Sequence, residues 1–410
     1  MKKAVILLAS LVVMTSCYRN GEKVDSGNTL DEQVEKTIDI SMDALERAVE
    51  EIKDTSRYPT YATRDDLKWR TSSSRNWVSG FWPGCLWYAS ILKGDSRFEE
   101  WARSWTAGIE KEKLNPDTHD LGFRFMCTFG NAIRFAPEKY YTEYTPTVLT
   151  AAETLSHLYH PEFGALRSNW DEKTAPPGTT PCVIDIMMNL ELLFWAADNG
   201  GDPNFKQMAI SHANTTWRDF LREDDGTYHV VRYDKAGKVV DKNQLQGDVK
   251  ESTWSRGHAW LVYGLVVCYR FTRDQIWLDR AKRAADYFIR NLNSDGIANW
   301  DFQSDVEYTD ASASAIVCSA LYELVSFLPE SREKVYYKSQ ADRMLKTLCS
   351  PSYFCGDRSG CLLEHSVRYY HKKDGNDQEP NIDEPGVFAD YYFMEALYRY
   401  KTLGQRGHLD

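Results

Sequence analysis

Long apolar runs are nearly absent from this chain. Past residue 14, no stretch is long and apolar enough to cross a membrane as a helix. Paired metal-binding cysteines are missing as well. There is no CxxC, and His365 is the sole imidazole near Cys349, Cys355 and Cys361, so no metal site is expected. A phosphate-cradling glycine loop and a GxSxG elbow are both lacking, which leaves nucleotide and serine-hydrolase chemistry without a motif. Positive charge is scarce: 49 Lys and Arg against 60 Asp and Glu give a formal net charge of −11. That balance argues against nucleic acid or an extended polyanion as partner, but leaves room for a small anion held by one or two basic residues. Strand signals are few; the best, Tyr228 to Tyr233 before a turn at Lys235 to Lys238, reads as one short hairpin.

Helical periodicity fills the rest. In 274–292, Leu278, Ala281, Ala285 and Phe288 share a face, with Arg280, Lys282, Arg283 and Asp286 on the others. Tyr337, Ala341, Met344 and Leu348 repeat the pattern in 331–349. Similar segments near 31–54, 79–92, 96–112, 123–135, 144–159, 183–198, 203–221, 256–273, 311–328 and 387–403 bring the total to about twelve. The hydrophobic fraction of 42% is enough for a large core. Twelve helices in short-loop succession predict an all-α fold, an (α/α)6 barrel of six helical hairpins with a minor β-hairpin. No linker interrupts the chain after residue 30, so 31–410 reads as a single domain. Two breaker-rich loops, 170–181 and 351–386, stand out as candidates for function.

The N-terminus reads as a targeting segment, 1–16. Lys2 and Lys3 precede an apolar region, Ala4 to Met14, that is too short to span a bilayer. Thr15-Ser16-Cys17 resembles a lipobox, which makes Cys17 the lipidated residue and 17–30 a polar tether. The expected membrane contact is this lipid anchor alone. Residues 18–25 lack an acidic cluster resembling a surface-export signal, so the expected location is the cell envelope, on the outer membrane facing the periplasm. Cys85, Cys127, Cys182, Cys268 and Cys318 lie in apolar segments and read as core residues. In an oxidising compartment two of Cys349, Cys355 and Cys361 can pair, and the sequence does not say which.

Candidate chemistry centres on Asp185, a carboxylate inside the apolar run Val183 to Leu190. Desolvation raises the pKa of such a group, while a helix N-terminus lowers it; the residues alone do not decide between them. Asp120, in His119-Asp120-Leu121-Gly122-Phe123, is the second acid, with a helix N-cap as the alternative role. Trp82, in Gly80-Phe81-Trp82-Pro83-Gly84, is either a sugar-stacking platform or part of an aromatic cluster at a helix start. Trp170 stands in a loop before Asp185, and His229 on the expected hairpin. The stretch from Gln246 to Trp260 holds Gln246, Arg256, His258 and Trp260. Arg256 offers a planar fork for a carboxylate, or ties loops together through backbone carbonyls. The 13 Trp and 24 Tyr fit a sugar site and a helical core equally well.

Taken together, GFWPG at 80–84, HDLGF at 119–123, the Asp185–Trp195 segment, STWSRGHAW at 252–260 and the run Asp390 to Leu397 resemble the unsaturated glucuronyl hydrolases, glycoside hydrolase family 88. The resemblance covers roughly 31–403. It implies an (α/α)6 barrel, no metal and no cofactor. The implied partner is an oligosaccharide ending in a 4,5-unsaturated uronic acid, as a polysaccharide lyase leaves it, and the leading expectation is a glycosaminoglycan fragment of the chondroitin, heparin or hyaluronan type. It also implies Asp185 as general acid and base, Asp120 as a second essential carboxylate, and Trp82, Trp170, His229, Gln246, Arg256 and Trp260 as substrate contacts. His258 departs from the family pattern, where Gln is common. A sister family acting on unsaturated rhamnogalacturonyl fragments of pectin is the nearest alternative. A non-catalytic glycan-binding lipoprotein is the alternative of another class.

Overall fold

A computed structural model describes residues 29–169, 176–370 and 382–406. Outer and inner helices alternate along the chain. The outer α1 (Leu30–Ile52) starts from a capping box, in which Thr29 and Glu32 bond each other's backbone N–H. It is followed by the inner α2 (Phe81–Lys93), the outer α3 (Ser96–Ile109) and an inner composite helix. That helix runs from α4 (Leu121–Phe125) through a π-helical turn, Met126–Gly130, into α5 (Asn131–Phe135). The succession continues with outer α6 (Pro137–Ser156), inner α7 (Leu190–Asp198), outer α8 (Asn204–Asp219) and inner α9 (Ser255–Thr272). Outer α10 (Gln275–Arg290), inner α11 (Ala311–Phe327), outer α12 (Arg332–Leu348) and inner α13 (Val387–Arg406) complete it. Helix α13 packs on both α11 and α2, which closes the inner ring. All twelve helical segments read from the sequence are present among the described residues, as the (α/α)6 expectation requires.

Burial explains which helix goes inside. On α10, Trp277, Leu278, Ala281, Ala285 and Phe288 are buried while Arg283 and Arg290 stay exposed, the pattern of a helix with one covered face. On α11 every residue from Ala311 to Ser326 is buried, and on α9 every residue from Ser255 to Cys268. A helix covered all round has no place for a charged stripe, and both sequences lack one until the last turns.

β-structure is more extensive than one hairpin. Strands β1 (Tyr58–Ala62) and β2 (Trp69–Ser72) pair antiparallel, as do β3 (Tyr159–His160) and β4 (Ala165–Leu166). The expected hairpin is β6 (Val230–Tyr233) with β7 (Val239–Asn243). A third strand, β5 (Thr180–Val183), adds to it antiparallel, with Val183 opposite Val230. Its Thr-Pro-Cys-Val sequence is too short to show a two-residue period, and Pro181 argues against a strand.

All eight described cysteines are buried free thiols, so no disulfide joins Cys349, Cys355 and Cys361; Cys355 Sγ faces the Cys361 carbonyl at 3.5 Å. No described helix is long and apolar enough to cross a membrane. The signal segment, Cys17 and most of the tether lie outside the described residues; Thr29 and Leu30 already belong to the start of α1.

At one end of the ring, inner-helix side chains form a buried ionic cluster around a cavity of about 340 Å³. Glu191 accepts from Arg134 at 2.7 Å and Arg270 at 2.6 Å. Glu323 accepts from Arg270 at 2.7 Å and lies 2.8 Å from Arg399. Glu395 takes the hydroxyls of Tyr88, Tyr263 and Ser319 and lies 3.3 Å from Arg399. Three guanidiniums balance three carboxylates, and Arg134 and Arg270 sit in last turns, where helix carbonyls favour cations. Burial opposes the ionisation of Glu323, but Arg270 and Arg399 prevail and hold its carboxyl down at about 2. A lowered folded-state pKa makes this stabilisation complete above the ordinary value of 4.5 and lost as pH falls from there towards 2. Removing one partner strands the others: Glu323→Ala is expected to cost about 3–5 kcal/mol in urea unfolding, and to flatten the acid-side fall in stability.

Candidate active site

The other ends of the inner helices gather the residues singled out from the sequence. Glycine sets how closely those ends approach. A Cβ on Gly80, just before α2, would lie 2.4 Å from the Phe123 carbonyl oxygen. One on Gly122 would lie 2.4 Å from the Cα of Asn189. Both contacts are impossible for a larger residue without backbone movement, so GFWPG and HDLGF carry glycine to bring α2, α4 and the 184–189 turn together. The rings of Trp77, Phe81 and Phe123 then pack at 5.3–5.7 Å, and Trp77 also stacks on Phe388 at the start of α13.

Asp185 lies in a 3-10 turn, Ile184–Asn189, that leads from β5 into α7. Strand β5 fixes its neighbour: Val183 pairs with Val230, and the Ile184 N–H donates to the His229 carbonyl at 3.0 Å. His229 Nδ1 accepts the Gln246 backbone N–H at 3.2 Å. In a neutral imidazole the ring proton is then on Nε2, which lies 3.3 Å from Asp185 Oδ2. The His229 ring also packs against Trp254 at 4.7 Å. The Asp185 side chain keeps 17% of its surface, and Oδ2 has no hydrogen bond of good geometry. Burial pushes its pKa up, but His229, His119 and Arg256 pull harder and hold the carboxyl below its usual range. The competition left open by the sequence is therefore decided by charged and hydrogen-bonding neighbours.

Asp120 occupies the N-cap position of α4, yet its side chain does not cap the helix. Oδ2 accepts from the Thr118 hydroxyl at 3.1 Å, and Oδ1 lies 3.4 Å from His119 Nε2. The Phe123 N–H is served instead by Asn189 Oδ1, at 3.0 Å, from the turn that carries Asp185. That exchange leaves Asp120 at the site and ties the two acids' segments together. His119 is shared between them, since it also acts on Asp185 and holds Ser168 Oγ at 3.3 Å.

Both terminal nitrogens of Arg256 are engaged in the free protein. Its Nη1 donates to Asp310 Oδ2 at 2.8 Å and to the Val367 carbonyl, and Nη2 donates to the Arg368 carbonyl at 2.9 Å and Gln246 Oε1 at 3.3 Å. The rings of Trp254 and Phe388 cover its faces at 4.7 and 4.9 Å. The guanidinium thus ties loops together and also acts on Asp185 electrostatically. Gln246 is half-buried and braces both His229 and Arg256.

Two tryptophans are buried in the free protein. Trp82 is 1% exposed and edge-on to Trp105 at 5.8 Å, so it belongs to the core beneath the site rather than to a stacking platform at its rim. Trp260 is 0% exposed, wedged between Phe123 and Tyr392, and presents no face to a sugar in the free protein. Trp77 is half-buried and stacks on Phe388. Trp170 lies outside the described residues. His258 faces away from the acids: Nε2 meets the Ala284 carbonyl at 2.9 Å on α10, and burial lowers its pKa to about 4. It is a neutral core residue. Asp310 was missed although it caps α11, a signal legible in Asp-Ala-Ser before an apolar run. Among the described residues, no group of three His, Cys, Asp or Glu is arranged to hold a metal ion.

A toroid of helical hairpins with two shielded carboxylates among its inner-helix N-termini defines a carbohydrate-active enzyme of the (α/α)6 class. No protein-family model matches the chain. It is 39% identical over 339 residues to an unsaturated glucuronyl hydrolase of Formosa agariphila, covering 80% of this chain and 81% of that protein. An unsaturated chondroitin disaccharide hydrolase of Streptococcus pyogenes is 28% identical, over 90% of this chain and 91% of the relative. The crystal structure of an unsaturated glucuronyl hydrolase specific for heparin superposes with a TM-score of 0.82 at 33% identity, covering 92% of this chain and 98% of the other. The chain belongs to the unsaturated glucuronyl hydrolases, glycoside hydrolase family 88.

The His229–Asp185 contact makes a direct expectation. His229→Ala removes the largest stabiliser of the ionised Asp185, so the carboxyl infrared band that disappears in Asp185→Asn is expected to persist to higher pH in His229→Ala. An unchanged titration would show that His229 does not set the charge of Asp185.

Proposed function

We propose that this protein removes the 4,5-unsaturated uronic acid from the non-reducing end of glycosaminoglycan-derived oligosaccharides, by hydrating its double bond. The observation that carries this reading is Asp185: a shielded carboxylate with an unsatisfied oxygen, set against His229 at a ring of helix starts. Helix N-termini favour anions, and the substrate is an anion. Relatives named for glucuronyl, chondroitin and heparin substrates support the glycosaminoglycan reading over the rhamnogalacturonyl one.

The chemistry follows from the enol ether. Protonated Asp185 gives its proton to C4, the C4=C5 electron pair forms the new C–H bond, and positive charge spreads over C5 and the ring oxygen. Water adds to C5, and the Asp185 carboxylate takes the released proton. The hemiketal at C5 opens to a ketone, and the hemiacetal left at C1 expels the adjoining sugar with its hydroxyl. Asp120, with His119, holds ring hydroxyls and balances charge.

One residue must therefore be an acid first, although in the free protein Asp185 is held as carboxylate. Substrate supplies the correction. A uronate charge brought close to Asp185 opposes its ionisation and raises its pKa. Binding thus loads the proton that the first step spends.

Incubation with unsaturated disaccharides of chondroitin, heparin, hyaluronan and rhamnogalacturonan tests the assignment through loss of the double bond's ultraviolet absorbance. Turnover is expected with the glycosaminoglycan set; turnover of the rhamnogalacturonan product alone would overturn it. Asp185→Asn is expected to keep the fold and lose about 10²–10⁴ in kcat, with Asp120→Asn also severe. A near-wild-type rate in Asp185→Asn would remove it from the mechanism.

The N-terminal pattern Lys2-Lys3, Ala4–Met14 and Thr15-Ser16-Cys17 supports a lipid-anchored enzyme facing the periplasm, where short oligosaccharides arrive after import. Labelling with a radioactive fatty acid is expected in the full chain and absent in Cys17→Ser.

A further inference from the structure

Large apolar side chains left exposed are not spread evenly over the toroid. Ile91, Tyr141, Ile276, Val335 and Tyr336 each keep 40% or more of their surface. Ile91 stands in the last turn of inner α2, and the other four stand in the first two turns of outer α6, α10 and α12. Inner helices end, and outer helices begin, at the end that holds the ionic cluster, so all five ring that end. The Tyr141 hydroxyl fits this level, donating to Asn199 just past inner α7 at 3.0 Å. Leu114, Val240 and Val249, the other exposed large apolar residues among those described, lie elsewhere, between α3 and α4 and in or just beyond β7. One exposed apolar side chain is ordinary; five at one end of a barrel mark a surface. We propose that the cluster end of the toroid rests on a zwitterionic lipid surface, so that the site opens away from the membrane. This adds a second membrane contact to the anchor.

The chain before Thr29 leaves from the same end. Tyr400 and Lys401, next to Arg399 of the cluster, bond Asp31 and Glu35 in the first turns of α1. With the lipid proposed above on Cys17, residues 17–28 can span at most about 40 Å. Such a leash holds the protein at the bilayer, where a contact too weak to capture a free protein becomes sufficient. The leash alone would let the barrel turn over; the apolar tips set which end meets the lipid. Tyr141 and Tyr336 join an apolar ring to a polar tip, the form that suits the headgroup level. Tips carried on separate helices suit a soft interface better than a protein partner, whose contact needs a continuous packed core. Cations at this end are engaged by the protein's own carboxylates: Lys139 by Glu99 at 3.0 Å, Lys206 by Asp198 at 3.1 Å and Lys334 by Glu330 at 2.7 Å. That favours apolar insertion into a neutral interface over attraction to anionic lipid.

The test uses the mature chain, residues 18–410, which contains every described residue, with a histidine tag in place of the lipid. Hydrogen exchange is compared between this protein in solution and the same protein held on phosphatidylcholine vesicles by a nickel-chelating lipid. Amides of 136–141, 273–277 and 331–336 are expected to exchange at least about fivefold slower on the vesicles, while those of 118–123 and 252–257 at the site end keep their rates. Ile276→Ser, Val335→Ser and Tyr336→Ser combined are expected to abolish the slowing in 273–277 and 331–336. The same variant is expected to keep its melting temperature within a few degrees and kcat/KM on a soluble unsaturated disaccharide within about twofold, which excludes misfolding as the cause. Slowing at the site end, or equal rates throughout, would overturn the proposal. So would slowing that needs no vesicles and grows with protein concentration, which would give the surface to a second copy of the chain. Because the tag replaces the lipid, a Cys17 that takes up no fatty acid removes the proposed anchor and leaves this result standing.

Discussion

The close approach of helix starts, made possible where Gly80 and Gly122 lack a Cβ, is the constraint on which the site depends. It lets Asn189, from the turn that carries Asp185, cap the helix that Asp120 would otherwise cap. One amide thereby frees one carboxylate and fixes the place of another. The third strand of the small sheet completes the arrangement, because pairing Val183 with Val230 delivers Asp185 to the Nε2 side of His229. Both acids are positioned by backbone contacts, and backbone contacts change little when a ligand arrives.

The two ends of the toroid solve opposite electrostatic problems. Where inner helices end, carbonyl groups accumulate, and Arg134 and Arg270 answer them within a cluster whose carboxylates neutralise the excess. Every charge there has a partner, which suits an element that holds the ring together. Where the inner helices begin, N–H groups accumulate, and the balance is incomplete: Asp185 has an oxygen without a hydrogen bond of good geometry. An anionic sugar fits that deficit. The same fold thus places its stable charges at one end and its reactive ones at the other.

The architecture was legible in the sequence because each outer helix has a clear apolar stripe, and because inner helices read as apolar runs of helical length. Strand β5 was not, since four residues with a proline carry no period. At the site, Asp185 and Asp120 could be found because carboxylates inside apolar surroundings are rare. Their environments could not, because those depend on residues distant in the chain. His229 meets Asp185 across 44 positions, and Arg256 meets the Val367 carbonyl across 111. The tryptophans illustrate a related point. Trp77 and Trp82 stand five positions apart in one motif, and whether a ring faces a cleft or a core is decided by helices that the motif does not contain.

The central claim is that Asp185 is a carboxylate in the free enzyme and an acid in the complex. The pH dependence of kcat/KM reports the free enzyme, and that of kcat reports the enzyme with substrate bound. Measured on one unsaturated disaccharide, the loss of activity with rising pH is expected to begin at lower pH in kcat/KM than in kcat. Coincident limbs would contradict the account, since substrate would then leave the proton affinity of Asp185 unchanged.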